Sequence, residues 1–145
     1  YYQQAQARDF LPEMHRYFAE VALRRNDLAT ALDHAEQALQ LARTLDMRGE
    51  EGIAMRLLGE IALAQADLER AQKYLQDGLA LLREIGDEYE AACSQLIEAK
   101  IALAMGNWEA ADDALEQCTS VFQQLNASYD LELIESLRFT TRHID

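Results

Sequence analysis

The chain writes one thirteen-residue phrase three times, forty residues apart: AEVALRRNDLATA from Ala19, GEIALAQADLERA from Gly59 and AKIALAMGNWEAA from Ala99. Stacked at that spacing, the columns agree by chemistry with no insertion or deletion. Val21, Ile61 and Ile101 share a column; so do Ala22, Ala62 and Ala102, then Leu23, Leu63 and Leu103, then Leu28, Leu68 and Trp108, then Ala31, Ala71 and Ala111. An internal repeat of about 20 to 50 residues is one supersecondary unit that buries its apolar face only by stacking on its neighbours, so the spacing points to a solenoid.

Each unit carries two helical patterns. In the second, Leu28, Ala31, Leu32, Ala35, Ala38, Leu39, Ala42 and Leu45 recur every three or four residues, the mark of one buried stripe. Asp27, Asp67 and Asn107 stand where such a helix starts and can cap its first-turn amides. Asp46, Gly86 and Asn126 stand just past its end, where the left-handed backbone favours these residue types. Ala19, Gly59 and Ala99 form one column of small residues, and Ala38, Gly78 and Cys118 another; they predict close helix–helix approach at Gly59 and Gly78. The expected fold is all-α, built of antiparallel helical hairpins.

Composition excludes several classes. One proline and six glycines are too few turn formers for an all-β protein. A formal charge of −13 disfavours nucleic acid, whose backbone is bound by clustered lysine and arginine. Cys93 and Cys118 lie apart from any CxxC or Cys/His cluster, which argues against a zinc site or a disulfide framework and makes the cytoplasm the expected compartment. Neither a signal peptide nor an apolar run of about 20 residues is present, so no membrane association is expected.

In LLGEIALAQADLERAQKYLQDGLALL the residues resemble the tetratricopeptide repeat (TPR) family. Leu58 and Gly59 match its Leu-Gly pair, Ala62 its small first-helix residue, Ala66 and Asp67 its Gly-Asp turn, Ala71 its second-helix alanine and Leu75 the bulky residue a turn later. The resemblance covers nearly the whole chain and implies a right-handed α-α superhelix whose first helices line a concave wall. The sequence departs from the pattern in its forty-residue period, against about 34 for the family, in the missing closing proline, and in Glu98, which replaces a leucine. Phrases such as LLREIGDEYEAA resemble the arrays of large bacterial signal-transduction proteins, among them ATPase-linked transcription regulators and nucleotide cyclases.

The register divides a single domain into repeats at 12–51, 52–91 and 92–131, with a partial fourth unit at 132–145. Tyr1, Tyr2 and Ala5 fall on the columns of Leu41, Ala42 and Leu45, so residues 1–11 read as the tail of a preceding helix, and Pro12 as the opening of the first helix, where its missing amide is harmless. Such text suits a piece of a longer protein. The terminal unit leaves apolar surface uncapped, which predicts a homo-oligomer formed through the C-terminal helix.

No motif for catalysis or metal binding emerges, and no enzyme or cofactor is expected: GxSxG, a lysine-bearing phosphate loop and HExxH are all absent. His15, His34 and His143 read as isolated surface or interface residues, Cys93 and Cys118 as small buried hydrophobes, and Trp108 as hairpin core. Glu109, Asp112, Asp113 and Glu116 read as a solvated outer face, since a straight helix does not converge the oxygens calcium needs.

What the resemblance adds is a groove. The matching wall positions are Glu13, Arg16, Tyr17, Glu20 and Arg24; Ile53, Arg56, Leu57 and Glu60; Cys93, Leu96, Ile97 and Lys100; and Leu133, Ser136, Leu137 and Thr140. Four basic residues against three acidic ones, with apolar positions toward the C-terminal half, suit an extended or helical protein segment with apolar anchors and some acidic character. Alternatively, these charges pair among themselves. Glu20 and Glu60 occupy the positions where some family members carry a carboxylate-clamping asparagine, so no such clamp is expected. The chain thus reads as a non-catalytic interaction module of a larger signalling or regulatory protein. A sensor for a peptide or small-molecule effector and a structural spacer are the alternatives.

Overall fold

The computed structural model describes residues 2–142, with side chains described over 10–138. Tyr1 and His143 lie outside the described residues, as do the side chains of Tyr2, Ala5 and Thr140. Seven α-helices and no strand occur among the described residues: α1 (Tyr2–Arg24), α2 (Leu28–Thr44), α3 (Arg48–Ala64), α4 (Leu68–Glu84), α5 (Glu88–Ala104), α6 (Trp108–Gln124) and α7 (Ser128–Arg142). Internal contacts group the chain into two compact units, Tyr1–Asp87 and Glu88–Asp145.

The helices owe their phase to one recurring turn. From α2 to α6 each has 17 residues, and every junction is three residues long. At each junction the middle residue has positive φ: Asn26 (58°), Asp46 (54°), Ala66 (62°), Gly86 (78°), Gly106 (74°) and Asn126 (55°). The middle amide donates to the carbonyl three residues back, and the next amide to the carbonyl five back, as in Asn26→Leu23 and Asp27→Ala22 or Asn126→Gln123 and Ala127→Phe122. These are the two bonds of a Schellman motif, which satisfies carbonyls a helix end would otherwise leave orphaned. At the start of each second helix the same third residue also caps by its side chain, whereas Met47, before α3, makes no such bond. Within the hairpins the side chains of Asp27, Asp67 and Asn107 accept from the amides of Thr30, Arg70 and Ala110 at 3.3, 3.2 and 3.1 Å. The starts and stops expected from the columns are therefore found, and the backbone repeats every twenty residues, a half-period hidden by the unlike side chains of first and second helices.

In unit 1, α1 packs on α2 and α3 on α4, with α2 also against α3. Its core joins Ala19, Ala22, Ala31, Ala35, Ala38 and Leu39 to Ala54, Met55, Leu57, Leu58 and Ile61. The α3/α4 crossing is close: a Cβ added at Gly59 would lie 2.6 Å from a methyl carbon of Leu75, so the small residues do the packing work the sequence implied.

Two expectations are corrected here. Pro12 does not open the first helix; α1 runs from Tyr2 to Arg24 unbroken through it. A mid-helix proline forfeits one hydrogen bond at a cost of about 3 kcal/mol, but the Pro12 ring is fully buried and recovers part of that by packing. Trp108 is not core; it is 48 % exposed. It occupies the first position of α6, directly after the cap, where Leu28 and Leu68 are also only half-buried.

Unit 2 packs α5 on α6 and α6 on α7. Phe122, Leu115, Cys118, Ala99 and Ile134 form its fully enclosed centre. Tyr89 ties its three helices together. Its ring meets Phe122 of α6 edge-on at 5.8 Å, and its hydroxyl donates to Asp130 Oδ2 of α7 at 3.0 Å. Burial is the largest reason its phenol is pushed well above the usual range, with Cys93 and Asp130 adding to it. Buried Gln95 is satisfied by donating to Gln117 at 2.8 Å.

Candidate functional site

The expected wall of unit 1 lies on α1 and α3, and Arg16 is its electrostatic centre. Its Nε donates to Glu50 on α3 at 2.9 Å, and its terminal nitrogens lie 3.5 Å from Glu20 and 3.8 Å from Glu13. Burial works against this charge, but the Glu50 bond and the three carboxylates outweigh it and hold the guanidinium above its ordinary pKa. Arg56 donates to Glu60 at 2.7 Å, one turn along α3. The alternative of charges pairing among themselves therefore describes Arg16, Arg56, Glu20 and Glu60. Glu50 was missed because sequence register placed it before the wall positions of its unit; with it, unit 1 sets Arg16, Arg24 and Arg56 against Glu13, Glu20, Glu50 and Glu60.

The apolar members fall elsewhere. Ile53 and Leu57 are 8 % and 2 % exposed, and Leu96 and Ile97 are 6 % and 5 % exposed. Leu57 belongs to the unit 1 core and Leu96 to that of unit 2. They do not present an apolar strip, because first helices in the middle of the sequence are buried on several sides: nine of the seventeen residues of α3 are buried. The most exposed large apolar side chains of unit 1 are instead on α1, where Phe10, Met14, Tyr17 and Phe18 are 66, 42, 62 and 45 % exposed. Arg24 is exposed on the same helix. In unit 2, Lys100 and Ser136 are exposed, Cys93 is half-buried, Leu133 is 41 % exposed, and Leu137 packs against the core.

His15 and His34, which the sequence presents as isolated, form a second constellation. His15 of α1 and His34 of α2 meet with their Nδ1 atoms 2.9 Å apart and ring centroids 5.2 Å apart; the Phe18 ring stands 5.4 Å from His34. One Nδ1 donates and the other accepts. Burial is the main reason His15 is pushed below its usual pKa, the neighbouring His34 adds to it, and Asp33 opposes it. Pairing about the turn at Asn26 sets Phe18, eight residues before it, opposite His34, eight after it, and His15 lies one turn from Phe18 on the same face of α1.

Among the described residues no group of three or more His, Cys, Asp or Glu could hold a metal ion, and no helix is long and apolar enough to cross a membrane. Shallow hollows on α4 are bordered by Arg70 and Lys73, away from the wall.

Helical hairpins joined by identical turns, with small residues at their crossings, suit the family that one comparison finds. The model of the MalT-like TPR region matches residues 4–143. The chain belongs to that family. No curated protein matches it. Membership in the MalT-like TPR family makes an interaction or scaffold module the coarse reading, and TPR-type repeats are generally non-catalytic. In this MalT-like TPR chain, α1 presents the largest exposed aromatic side chains of unit 1, beside the ionic cluster that braces α1 against α3.

Proposed function

We propose that this MalT-like TPR chain binds a peptide or protein segment on the α1–α3 wall of unit 1, as a non-catalytic module of a larger signalling or transcription-regulatory protein. The observation that supports this is Tyr17: a large aromatic on the wall helix, 62 % exposed, next to Arg16 in sequence, about one turn before Glu20 and two before Arg24. Aromatic side chains and arginine are the residue types that anchor interfaces most effectively. Because Glu50 tips the local balance of this wall to acidic, the favoured partner is a neutral or basic segment with an apolar anchor, in place of the acidic one expected from sequence.

Self-association through α7 belongs to the same proposal, since Tyr129 and Leu133 stay 70 and 41 % exposed on it. The test is capture from a lysate of the source organism, comparing the native chain with Tyr17→Ser plus Arg24→Glu, and separately with Lys100→Glu. Arg16 and Arg56 are left alone because they hold the wall together. A defined protein retained by the native chain and lost by the double variant, with helicity unchanged, supports the reading. Retention of the same proteins by both moves the working surface off this wall.

A further inference from the structure

The wall proposal makes no use of the His15–His34 pair, whose geometry limits the protons it can hold. The two imidazoles meet end to end across the first hairpin, Nδ1 to Nδ1 at 2.9 Å, with ring centroids 5.2 Å apart. One Nδ1 keeps its proton and the other offers its lone pair. A first added proton goes to the Nε2 of the donor ring, which takes no part in the contact, and the bond stays in place. A second has only the acceptor's Nδ1 lone pair, which is the bond itself.

We propose that the His15–His34 contact is an acid-sensitive latch between α1 and α2, closed while the pair carries no charge or one and opened when both rings are protonated. Two protonated Nδ1 groups aimed at each other leave no acceptor and set two positive charges at contact distance. Sites that interact this closely take up protons in two steps that belong to the pair, the second displaced to lower pH. Burial and then the charge of His34 act in that direction on His15, holding it below its ordinary 6.5. A base so held contributes stability that is present above the ordinary value and is lost as pH falls through the lowered one.

The surrounding charges do not offset a second proton. From α2, Asp33 favours the charged form of His15, but it is one carboxylate against two imidazolium charges, and its Oδ2 already accepts from Gln37 Nε2 at 2.9 Å. On α1 the flanking charges are Glu13 and Arg16, 3.8 Å from each other. From α3 come Glu50, held by Arg16 at 2.9 Å, and Glu51, held by Arg43 of α2 at 3.1 Å. Among the described residues, His34 and Asp33 are the groups whose charges act on His15. Opening is also transmitted along α1: the Phe18 ring stands 5.4 Å from His34 and meets Tyr17 edge-on at 6.2 Å, so turning His34 disturbs the exposed aromatics. That acid thereby alters the binding wall rests on the wall reading; the latch does not.

The experiment follows the imidazole Cε1–H signals of the native chain by NMR from about pH 8 to about pH 4.5, assigned with His15→Gln, His34→Gln and His143→Gln. His15 and His34 should each respond to two steps at least about one pH unit apart, and the partner left in either of the first two variants should titrate in a single step. Hydrogen exchange, corrected for its intrinsic pH dependence, reads the opening. Passing through the second step should raise exchange in α1 from Glu13 to Arg24 by about tenfold relative to α4 in the native chain, with no such rise in either variant. Two independent titrations overturn the proposal, as does a pair that takes up no second proton by about pH 4.5 or takes it up with no change in α1. An acid response of α1 that persists in both variants also overturns it, placing the effect on the carboxylates around Arg16. Should either variant fail to fold, coincidence of the α1 opening with the second step in the native chain decides.

Discussion

A Cβ built on Gly78 of α4 would stand 2.9 Å from the Cβ of Met55 on α3 and 3.2 Å from the carbonyl oxygen of Gly52. Neither neighbour is the loose end of a flexible side chain, so the helices must separate to admit a methyl group. Alanine gains about 1 kcal/mol over glycine in a helix interior, but overpacking a tight contact costs about 1 to 3 kcal/mol. Gly78→Ala is therefore expected to lower stability, read as a reduced urea midpoint. Ala38 and Cys118, at the equivalent positions, carry side chains without difficulty, so the effect is specific to this crossing.

Ala66 has φ of 62° at the turn between α3 and α4, where Gly86 and Gly106 serve other junctions. A left-handed backbone costs a residue with a Cβ about 1 to 2 kcal/mol, and glycine returns about 0.4 to 1 kcal/mol of that through the entropy of the unfolded chain. Ala66→Gly is expected to stabilise the protein by about 0.5 to 1 kcal/mol, measured by chemical denaturation, with no change in helicity.

Cys118 is fully enclosed, and burial is the main reason its thiol is pushed up to about 11 from 9.0. An alkylating reagent at pH 8 should modify half-buried Cys93 first and reach Cys118 only on unfolding. The sign for stability follows from linkage: a thiol harder to ionise in the folded state contributes fully below pH 9. That contribution is lost as pH rises toward 11. Cys118→Ala should flatten the alkaline side of the stability profile between those values.

Removing the hydroxyl with Tyr89→Phe leaves Asp130, 9 % exposed, without its 3.0 Å donor while keeping the ring against Phe122. A loss of about 1 to 3 kcal/mol is expected. Hydrogen exchange should report it as earlier opening of α7 than of α6.

Leu133→Glu on α7 tests the self-association proposal by sedimentation. A native chain whose mass rises with concentration, and a variant whose mass does not, is the expected result. A native chain that stays monomeric at high concentration removes α7 as an interface.

What was legible in the sequence was whatever recurs by column. Caps at Asp27, Asp67 and Asn107, stops at Asp46, Gly86 and Asn126, and close packing at Gly59 and Gly78 needed only the forty-residue register, because backbone geometry imposes the same residue types at every copy. What was hidden depends on partners from outside the column. Arg16 is held by Glu50, a residue 34 positions away on another helix, and His15 by His34 across the hairpin. Ile53, Leu57, Leu96 and Ile97 were placed on the wall because register gives direction around a helix but not how many neighbours crowd it. Trp108 misled for a related reason: a column shared with leucines fixes position, and a larger ring at a helix start overhangs it.

The three-residue turn has a consequence for how such a chain changes over generations. Since every junction closes with the same two hydrogen bonds, excising residues 48–87 would bring Glu88 directly behind Met47, with helix phase preserved. Duplicating those forty residues would do the same. Gain or loss of a whole hairpin by recombination requires no new junction to be invented, whereas gain or loss of a single residue inside a helix would rotate part of its buried stripe by about 100° relative to its own turn.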